Sequence, residues 1–142
     1  MKKCSDVMTK DLVYGSPTDT VADVAHLMKK EDIGPVLIVD KKDGKRLVGI
    51  VTDRDLAIKV VGEGRDPKKT KVADVMTEKV ITCRAEDDVQ NAMKAMAQYQ
   101  LRRIPVVDQA GMLVGIISQA DVATRVDEPK RTAEVVKEIS KN

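Results

Sequence analysis

The sequence contains no tryptophan, no phenylalanine and only two tyrosines, Tyr14 and Tyr99. Because 42% of its 142 residues are hydrophobic, the core has to be built from aliphatic side chains. The shortage of rings argues against binding of single-stranded nucleic acid, whose bases stack on aromatic side chains. An excess of one charge is also lacking, since 25 basic and 23 acidic residues give a net charge of +2. A general nucleic-acid binder needs a one-sided basic field, so this class is disfavoured.

The sequence also lacks long hydrophobic runs. No stretch approaches the length that spans a bilayer, and no apolar segment follows Lys2 and Lys3 to form a signal peptide. A cytoplasmic protein is therefore predicted. The two cysteines, Cys4 and Cys83, do not have the spacing of metal ligands. We interpret them as free thiols in a reducing compartment, with a disulfide or redox switch as the alternative.

His26 is the sole histidine and has Lys29 and Lys30 as near neighbours in the sequence. Acid–base or nucleophilic catalysis needs a nucleophile and a base placed together. The sequence offers neither a second histidine nor a Cys/His pairing for such a site. We therefore predict no enzymatic activity, no catalytic residues, no metal site and an exposed or partly packed His26.

An internal repeat organises the chain. Asp-Val-Met-Thr at residues 6–9 recurs at 74–77, and Leu-Val-Gly-Ile at 47–50 recurs at 113–116. Between the segments 47–61 and 113–127, seven of 15 aligned residues are identical. The predicted organisation is a first repeat at residues 3–62, a linker at 63–71, a second repeat at 72–128, and a C-terminal helix or tail at 129–142.

Each copy predicts the order β-α-β-β-α. Hydrophobic residues at helical spacing indicate the first helix of each copy, with Asp19 and Asp87 at its start. The residues that face the core are predicted to be Val21, Val24, Ala25 and Met28, then Val89, Ala92, Met93 and Met96. Short apolar runs predict strands at 12–14, 36–39, 47–51, 80–82, 104–107 and 113–117, with hairpin turns at 43–44 and 110–111. The second helices are predicted to be apolar at Leu56, Ala57, Val60 and Val61, and at Val122, Ala123 and Val126, and a last helix is predicted from Thr132 to Ser140.

One copy of about 60 residues makes a marginal core by itself. We therefore predict an α/β (α+β) fold in which the sheets of the two copies pack against each other about a pseudo-twofold axis. This packing leaves two symmetry-related clefts, where small ligands often bind.

The most specific motif is a glycine, two apolar residues, a hydroxyl residue and, three positions later, an aspartate. It comprises Gly49, Thr52 and Asp55 in the first copy, and Gly115, Ser118 and Asp121 in the second. One interpretation is a capping box that starts a helix. The other is a ligand site, in which the helix start faces phosphate and the carboxylate accepts ribose hydroxyls. The two interpretations are compatible, because a carboxylate has two oxygens.

The Asp-Val-Met-Thr segments, the run from Arg102 to Asp108, and the Gly-to-Asp motif, present in tandem, resemble a CBS-domain pair, named after cystathionine β-synthase. The resemblance is closest to small stand-alone bacterial proteins made of one pair. It implies a non-catalytic regulatory module, a metabolite or energy sensor that needs no cofactor. The implied regulatory ligand is AMP, ADP, ATP or S-adenosylmethionine in the clefts between repeats. The implied partners are a second copy, in a homodimer, and an unidentified regulated protein.

Carried over by residue, the resemblance implies two sites. The first consists of Thr52, Arg54, Asp55, Val80, Ile81, Thr82, Arg102, Arg103, Ile104 and Pro105. The second, weaker site consists of Leu12, Val13, Tyr14, Gly34, Pro35, Val36, Ser118 and Asp121. Guanidinium groups suit a phosphate, so we predict that the first site binds the nucleotide phosphate. Gly34 and Pro35 stand where the family often has a basic residue, which leaves the second site weaker, empty or suited to a less charged ligand.

Two other functions compete with the sensor. The first is a structural or protein-interaction CBS pair without bound nucleotide. The second is nucleic-acid binding through residues 65–71, where four basic residues accompany one acidic residue.

Overall fold

The computed structural model describes residues 2–42, 44–126 and 136–139. The chain forms two compact units, and each combines one copy of the repeat with the Asp-Val-Met-Thr segment of the other copy. We call Val13–Val80 the first-copy unit, and Met1–Leu12 together with Ile81–Asn142 the second-copy unit. The Asp-Val-Met-Thr segments are thus exchanged between the copies.

The helices and strands follow the predicted β-α-β-β-α order in both copies. In chain order they are α1 (Cys4–Val7), β1 (Tyr14–Gly15), α2 (Val21–Glu31), β2 (Val36–Asp40), β3 (Arg46–Val51), α3 (Asp53–Leu56), β4 (Cys83–Arg84), α4 (Val89–Tyr99), β5 (Arg103–Val107), β6 (Leu113–Ser118) and α5 (Gln119–Arg125). A π-helical segment, Ala57–Val61, continues α3, and a 3-10 turn covers Val72–Asp74.

Each unit contains one three-stranded sheet, in the order β1-β2-β3 or β4-β5-β6. The first pair of strands is parallel and the second antiparallel in both sheets. The register of each antiparallel pair shifts at the same place, between Ile38 and Val39 and between Val106 and Val107. The sequence repeat is therefore reproduced in the fold, including its irregularities.

The first strand of each copy is later and shorter than predicted. Strand β1 pairs only Tyr14 and Gly15 with β2, and β4 begins at Cys83 rather than within residues 80–82. These strands are at sheet edges, and only two residues of each are in register with the neighbouring strand. Apolarity alone could not fix that register, because it depends on which residues face the partner strand.

The main helices begin one residue later than predicted. Thr20 is the N-cap of α2, with a hydrogen bond from the Asp23 backbone N–H to its hydroxyl at 3.2 Å. Asp88 is the N-cap of α4. The predicted Asp19 instead closes a turn by accepting the Ser16 N–H at 2.9 Å. Both helices end at a residue in the left-handed conformation, Asp32 and Gln100.

The core consists of aliphatic side chains, as the composition predicts. Most residues at the predicted helical positions are buried, among them Val24, Met93 and Met96. Ala25, Ala57 and Ala123 were predicted on apolar faces but are exposed. A methyl group adds little to an apolar stripe, so alanine is a weak indicator of which face is buried.

The second helix of the first copy also departs from the prediction. The π-helical segment Ala57–Val61 has a wider turn than an α-helix, with the Gly62 N–H donating to the Ala57 carbonyl at 2.8 Å. Val60 is buried, whereas Val61 is 77% exposed. Of the predicted last helix, residues 136–139 are helical, with Ile139 buried, and the rest lies outside the described residues. The predicted turn at 43–44 is likewise only partly described.

The exchanged segments pair with the free edge of each sheet. Thr77 forms two backbone hydrogen bonds of 2.9 Å with Ile50 in β3. Thr9 forms the corresponding pair with Ile116 in β6, at 2.8 and 3.0 Å. In each sheet, the bridge pairs backbone groups of an edge strand that would otherwise be unpaired.

The glycine and the methionine that recur in both copies have a packing reason. A Cβ atom on Gly49 would lie 2.7 Å from Sδ of Met76, and one on Gly115 would meet Sδ of Met8 still more closely. A side chain at either position would therefore displace the methionine of the exchanged segment, and at Gly49 it would also crowd the Thr77 carbonyl at 3.1 Å.

Candidate functional site

In the first-copy unit, the hydroxyl and the aspartate of the motif form a complete capping box. The hydroxyl of Thr52 accepts the Asp55 backbone N–H at 3.1 Å, and Oδ2 of Asp55 accepts the Thr52 N–H at 2.9 Å. The other carboxylate oxygen, Oδ1, faces Nζ of Lys59 at 3.3 Å. Lys59 also donates to the Val75 carbonyl at 3.0 Å. The capping interpretation is confirmed here, and among the described residues Oδ1 of Asp55 has only Lys59 as a partner.

The second copy repeats the box at the start of α5. Ser118 accepts the Asp121 N–H at 3.1 Å, and Oδ2 of Asp121 accepts the Ser118 N–H at 2.9 Å. Here Thr9, from the exchanged segment, donates its hydroxyl to Asp121 at 3.1 and 3.2 Å from the two oxygens. Nε of Arg125 is 3.8 Å from Oδ1. Arg125 also donates to the carbonyls of Val7 and Met8.

The two aspartates therefore have unequal environments despite equal positions in the repeat. The side chain of Asp121 is 9% exposed and that of Asp55 is 17% exposed. Asp121 has a hydroxyl donor from Thr9, whereas the side chain of the matching Thr77 is exposed, although both threonines form the same pair of backbone bonds with their sheet. Asp121 has less unused hydrogen-bonding capacity for a ligand than Asp55.

The predicted site residues divide between the two units. The first-copy unit contains Thr52, Arg54, Asp55, Val80, Val13, Tyr14, Gly34, Pro35 and Val36. The second-copy unit contains Ile81, Thr82, Arg102, Arg103, Ile104, Pro105, Ser118, Asp121 and Leu12. Both predicted sites thus draw residues from both units. That the residues of each site bind one ligand is a prediction from the sequence.

Within the second-copy unit, the two arginines lie next to the start of α5. Arg103 is opposite Ser118 in the sheet register, and the Gln119 N–H donates to the Arg102 carbonyl at 2.8 Å. Both arginine side chains are exposed. Ile104, the next residue, is fully buried in the core of its unit, so its side chain supports the strand.

Within the first-copy unit, the residues before β2 lie next to the start of α3. Val36 is opposite Val51 in the register, and Val36 is fully buried in the core. A Cβ atom on Gly34 would lie 3.1 Å from Oδ1 of Asp53. Pro35 is exposed. This edge of the first-copy unit therefore presents small residues and an acidic side chain where the second-copy unit presents two arginines.

Comparison with known proteins identifies the family. The family model described as the CBS domain matches residues 4–62 and 72–128. This chain is a CBS-domain protein. The Bacillus subtilis protein YlbB is 37% identical over 99% of this chain and 93% of its own length.

Two solved structures of CBS proteins share the fold. The CBS pair of protein MJ0100, in complex with 5′-methylthioadenosine and S-adenosyl-L-methionine, is 27% identical with a TM-score of 0.69, and covers 87% of this chain and 94% of its own. The CBS domain protein PAE2072 from Pyrobaculum aerophilum, complexed with AMP, is 24% identical with a TM-score of 0.75, and covers 94% of this chain and 99% of its own. The predicted mixed α and β fold with two β-α-β-β-α repeats is confirmed.

Several residues of this CBS pair to which the sequence interpretation gave no site role contact predicted site residues. Lys59 contacts Asp55 and Thr9 contacts Asp121, as described above. The ammonium groups of Lys41 and Lys45 lie 5.2 and 5.3 Å from the ring centroid of Tyr14. The i, i+4 spacing of Asp55 and Lys59 could have indicated their pairing, but the contacts of Thr9 and Tyr14 depend on the fold.

A polar cavity of about 550 Å³ lies in the second-copy unit, lined among others by Thr82, Arg84, Asp87 and Asp108. Thr82 is its one lining residue among those of the predicted sites. No group of three or more metal-ligating side chains occurs in the described part of the chain. In that same part, no helix has the length and apolarity to cross a membrane.

Proposed function

We propose that this CBS pair is a non-catalytic regulatory module that binds an adenosyl ligand, with Asp55 as the residue that accepts the ribose hydroxyls. The observation that carries the proposal is the inequality of the two aspartates. Asp55 uses one oxygen for its cap, and its other oxygen faces the partly exposed Lys59. A ribose hydroxyl can replace that lysine, because Lys59 retains the Val75 carbonyl as a partner.

The complexes of MJ0100 and PAE2072 support the class of ligand. Their bound molecules, 5′-methylthioadenosine, S-adenosyl-L-methionine and AMP, have the adenosine group in common. For this chain we propose AMP, ADP or ATP in preference to S-adenosylmethionine. The exposed guanidinium groups of Arg102 and Arg103 favour a phosphate-bearing ligand, provided that they serve the same ligand as Asp55. In the absence of tryptophan and phenylalanine, the adenine has to be held by aliphatic side chains and backbone groups.

The remaining residues of the first predicted site are proposed as neighbours of the ligand. Thr52 and Arg54 flank Asp55 at the start of α3, and Val80, Ile81, Thr82, Ile104 and Pro105 complete the set. Because Ile104 is fully buried in the core, we assign it a supporting role beneath Arg103.

Isothermal titration calorimetry with AMP, ATP and S-adenosylmethionine tests this assignment. Asp55→Ala should weaken AMP binding by roughly 10- to 100-fold, because the lost hydrogen bonds involve a charged acceptor. Asp53→Ala is the matched control, since it removes a carboxylate from the same helix start and should leave the affinity within about twofold of the parent protein. Unchanged affinity of a folded Asp55→Ala protein would leave Asp55 with a capping role only.

The proposed phosphate-binding role of the arginines is tested by comparing a ligand that has phosphate with one that lacks it. Arg103→Ala should weaken ATP binding more than adenosine binding, because adenosine lacks phosphate. An equal loss for both ligands, or no loss, would contradict a phosphate-binding role.

A structural or protein-interaction CBS pair is the second function, and the contacts of Asp121 favour it for the second predicted site. The carboxylate of Asp121 already accepts hydrogen bonds from Thr9 and from the Ser118 N–H, so it has little capacity left to accept ribose hydroxyls. A thermal-shift screen distinguishes the two functions, since a ligand at 100 times its dissociation constant stabilises the folded protein by about 2.7 kcal/mol. We further propose a cytoplasmic homodimer, to be tested by light scattering with and without AMP.

A further inference from the structure

The two cysteines, which the proposed ligand site does not use, belong to one hydrophobic cluster. Cys4 lies in α1 and Cys83 in β4, and both are free and buried. The backbone of α1 lies directly against the segment that follows β4. The N–H of Cys4 donates to the Asp87 carbonyl at 2.8 Å, and that of Ser5 to the Ala85 carbonyl at 2.9 Å.

The two thiols belong to the same buried cluster and lie close enough for each to shift the pKa of the other. Each sulfur also has a backbone carbonyl nearby: Asp88 at 3.9 Å from Sγ of Cys4, and Pro105 at 3.8 Å from Sγ of Cys83. The interaction with Cys83 lowers the pKa of Cys4, against the opposing effects of burial and of Asp87 and Asp88. The same interaction, together with burial, raises the pKa of Cys83. The pair thus contains one thiol that ionises more readily and one that stays protonated beside it.

We propose that Cys4 and Cys83 form a redox pair, which a peroxide converts into an intrachain disulfide that fastens α1 to β4. The thiolate of Cys4 attacks one oxygen of hydrogen peroxide and becomes a sulfenic acid; the O–O bond breaks, and the leaving hydroxide takes up the proton lost by the Cys4 thiol to form water. The sulfur of Cys83 then attacks the sulfenic sulfur and forms the S–S bond; the S–O bond breaks, and the leaving hydroxide takes up the Cys83 proton to form a second water. Two thiols and one peroxide become one disulfide and two waters, so the two electrons lost by sulfur are taken up by the peroxide oxygens.

Access of the peroxide to Cys4 requires local opening, because Cys4 is fully buried, whereas Cys83 is 6% exposed and lines the cavity of this unit. The segment that has to move is small, since α1 is a single turn of four residues. A short segment can open without unfolding of the whole domain, and here the opening has to break the backbone bonds of Cys4 and Ser5. The reaction is therefore limited by opening of α1, and a peroxide is small enough to enter.

The proposed disulfide would restrain the exchanged Asp-Val-Met-Thr segment at residues 6–9. Thr9, which holds Asp121, follows α1 directly, and β4 follows Ile81 and Thr82. A covalent link between α1 and β4 would hold both segments in their present places. The oxidised protein should resist detachment of α1 from the second-copy unit, and the reduced protein should permit it.

The test uses the full chain, treated with hydrogen peroxide after complete reduction. Intact mass spectrometry should show the loss of two hydrogens, and tryptic mapping without reductant should recover the Cys4 and Cys83 peptides as one linked species. Dithiothreitol should restore the original mass. The oxidised protein should melt several degrees higher than the reduced one, because the link constrains the unfolded chain.

Single variants separate the two sulfur atoms. In Cys83→Ala, dimedone should trap the sulfenic acid at Cys4, whereas Cys4→Ala should give much weaker labelling at Cys83. Equal labelling of both variants would contradict the assigned order of attack. Unchanged mass after treatment of the folded parent protein, stepwise oxygen addition to either sulfur, or links only between chains would overturn the proposal. Since these readouts require no nucleotide, they are independent of the proposed ligand site.

Discussion

The hydroxyl of Thr9 donates to the carboxylate of Asp121 at 3.1 Å, although 112 residues separate the two in the chain. This bond joins the Asp-Val-Met-Thr segment of one copy to the capping aspartate of the other. It has no counterpart between Thr77 and Asp55, whose carboxylate faces Lys59. A sequence repeat with near-identical motifs has thus acquired two different polar environments.

Thr9→Val should lower the free energy of unfolding by about 1.5–3 kcal/mol, because a hydrogen bond to a charged, mostly buried acceptor is lost at nearly constant side-chain volume. Thr77→Val is the matched control and should change stability by less than about 0.5 kcal/mol, since the Thr77 side chain is exposed. Urea denaturation of both variants measures the difference. Equal effects would show that the hydroxyl of Thr9 does not stabilise Asp121.

The two aspartates should differ in stability as well as in ligand binding. Asp121→Ala should cost about 2–3 kcal/mol, because it removes a cap and leaves the Thr9 hydroxyl without its acceptor. Asp55→Ala should cost about 1 kcal/mol or less, since its lysine partner is partly exposed and keeps a carbonyl. Thermal and urea denaturation in the absence of nucleotide provide the comparison. A larger loss for Asp55→Ala would reverse the assignment of structural and ligand-binding roles.

Gly49→Ala should destabilise the first-copy unit by about 1–3 kcal/mol, because the added methyl group overlaps Sδ of Met76 at 2.7 Å. Combining it with Met76→Ala should cost less than the sum of the two single changes, since the second removes the overlapping atom. Gly15→Ala is a control in the same sheet, where the nearest atoms are 3.4 Å away. Strict additivity in the double variant would exclude the proposed contact as the cause.

Neighbouring valines in the π-helical segment provide a further pair. Val60 is 1% exposed and Val61 is 77% exposed. Val60→Ala should cost about 2 kcal/mol through lost burial and the cavity left behind, and Val61→Ala should stay within about 0.5 kcal/mol. Guanidinium denaturation at one protein concentration measures both. If Val61→Ala is the more costly change, Val61 has a partner that its exposure in the single chain does not reveal.

Much of the candidate site could be predicted from local sequence. The capping boxes at Thr52–Asp55 and Ser118–Asp121 depend on residues three apart, so their geometry follows once a helix starts there. The burial of Met93 and Met96 likewise follows from helical spacing. The environment of Asp121 could not be predicted in this way, because Thr9 lies far away in sequence and its hydrogen bond depends on the exchanged segment reaching β6.

The sequence by itself determined the repeat, the order of its elements and the aliphatic core, which follow from periodicity and motif spacing. Its motifs also resemble the CBS family, whose model matches both copies. Only the tertiary structure decided that each Asp-Val-Met-Thr segment packs on the other copy, that Asp121 is occupied while Asp55 is partly open, and that Cys4 meets Cys83. These contacts join residues far apart in the chain. Which of them form depends on the sheet edges and buried surfaces that remain available once the local helices and strands have formed.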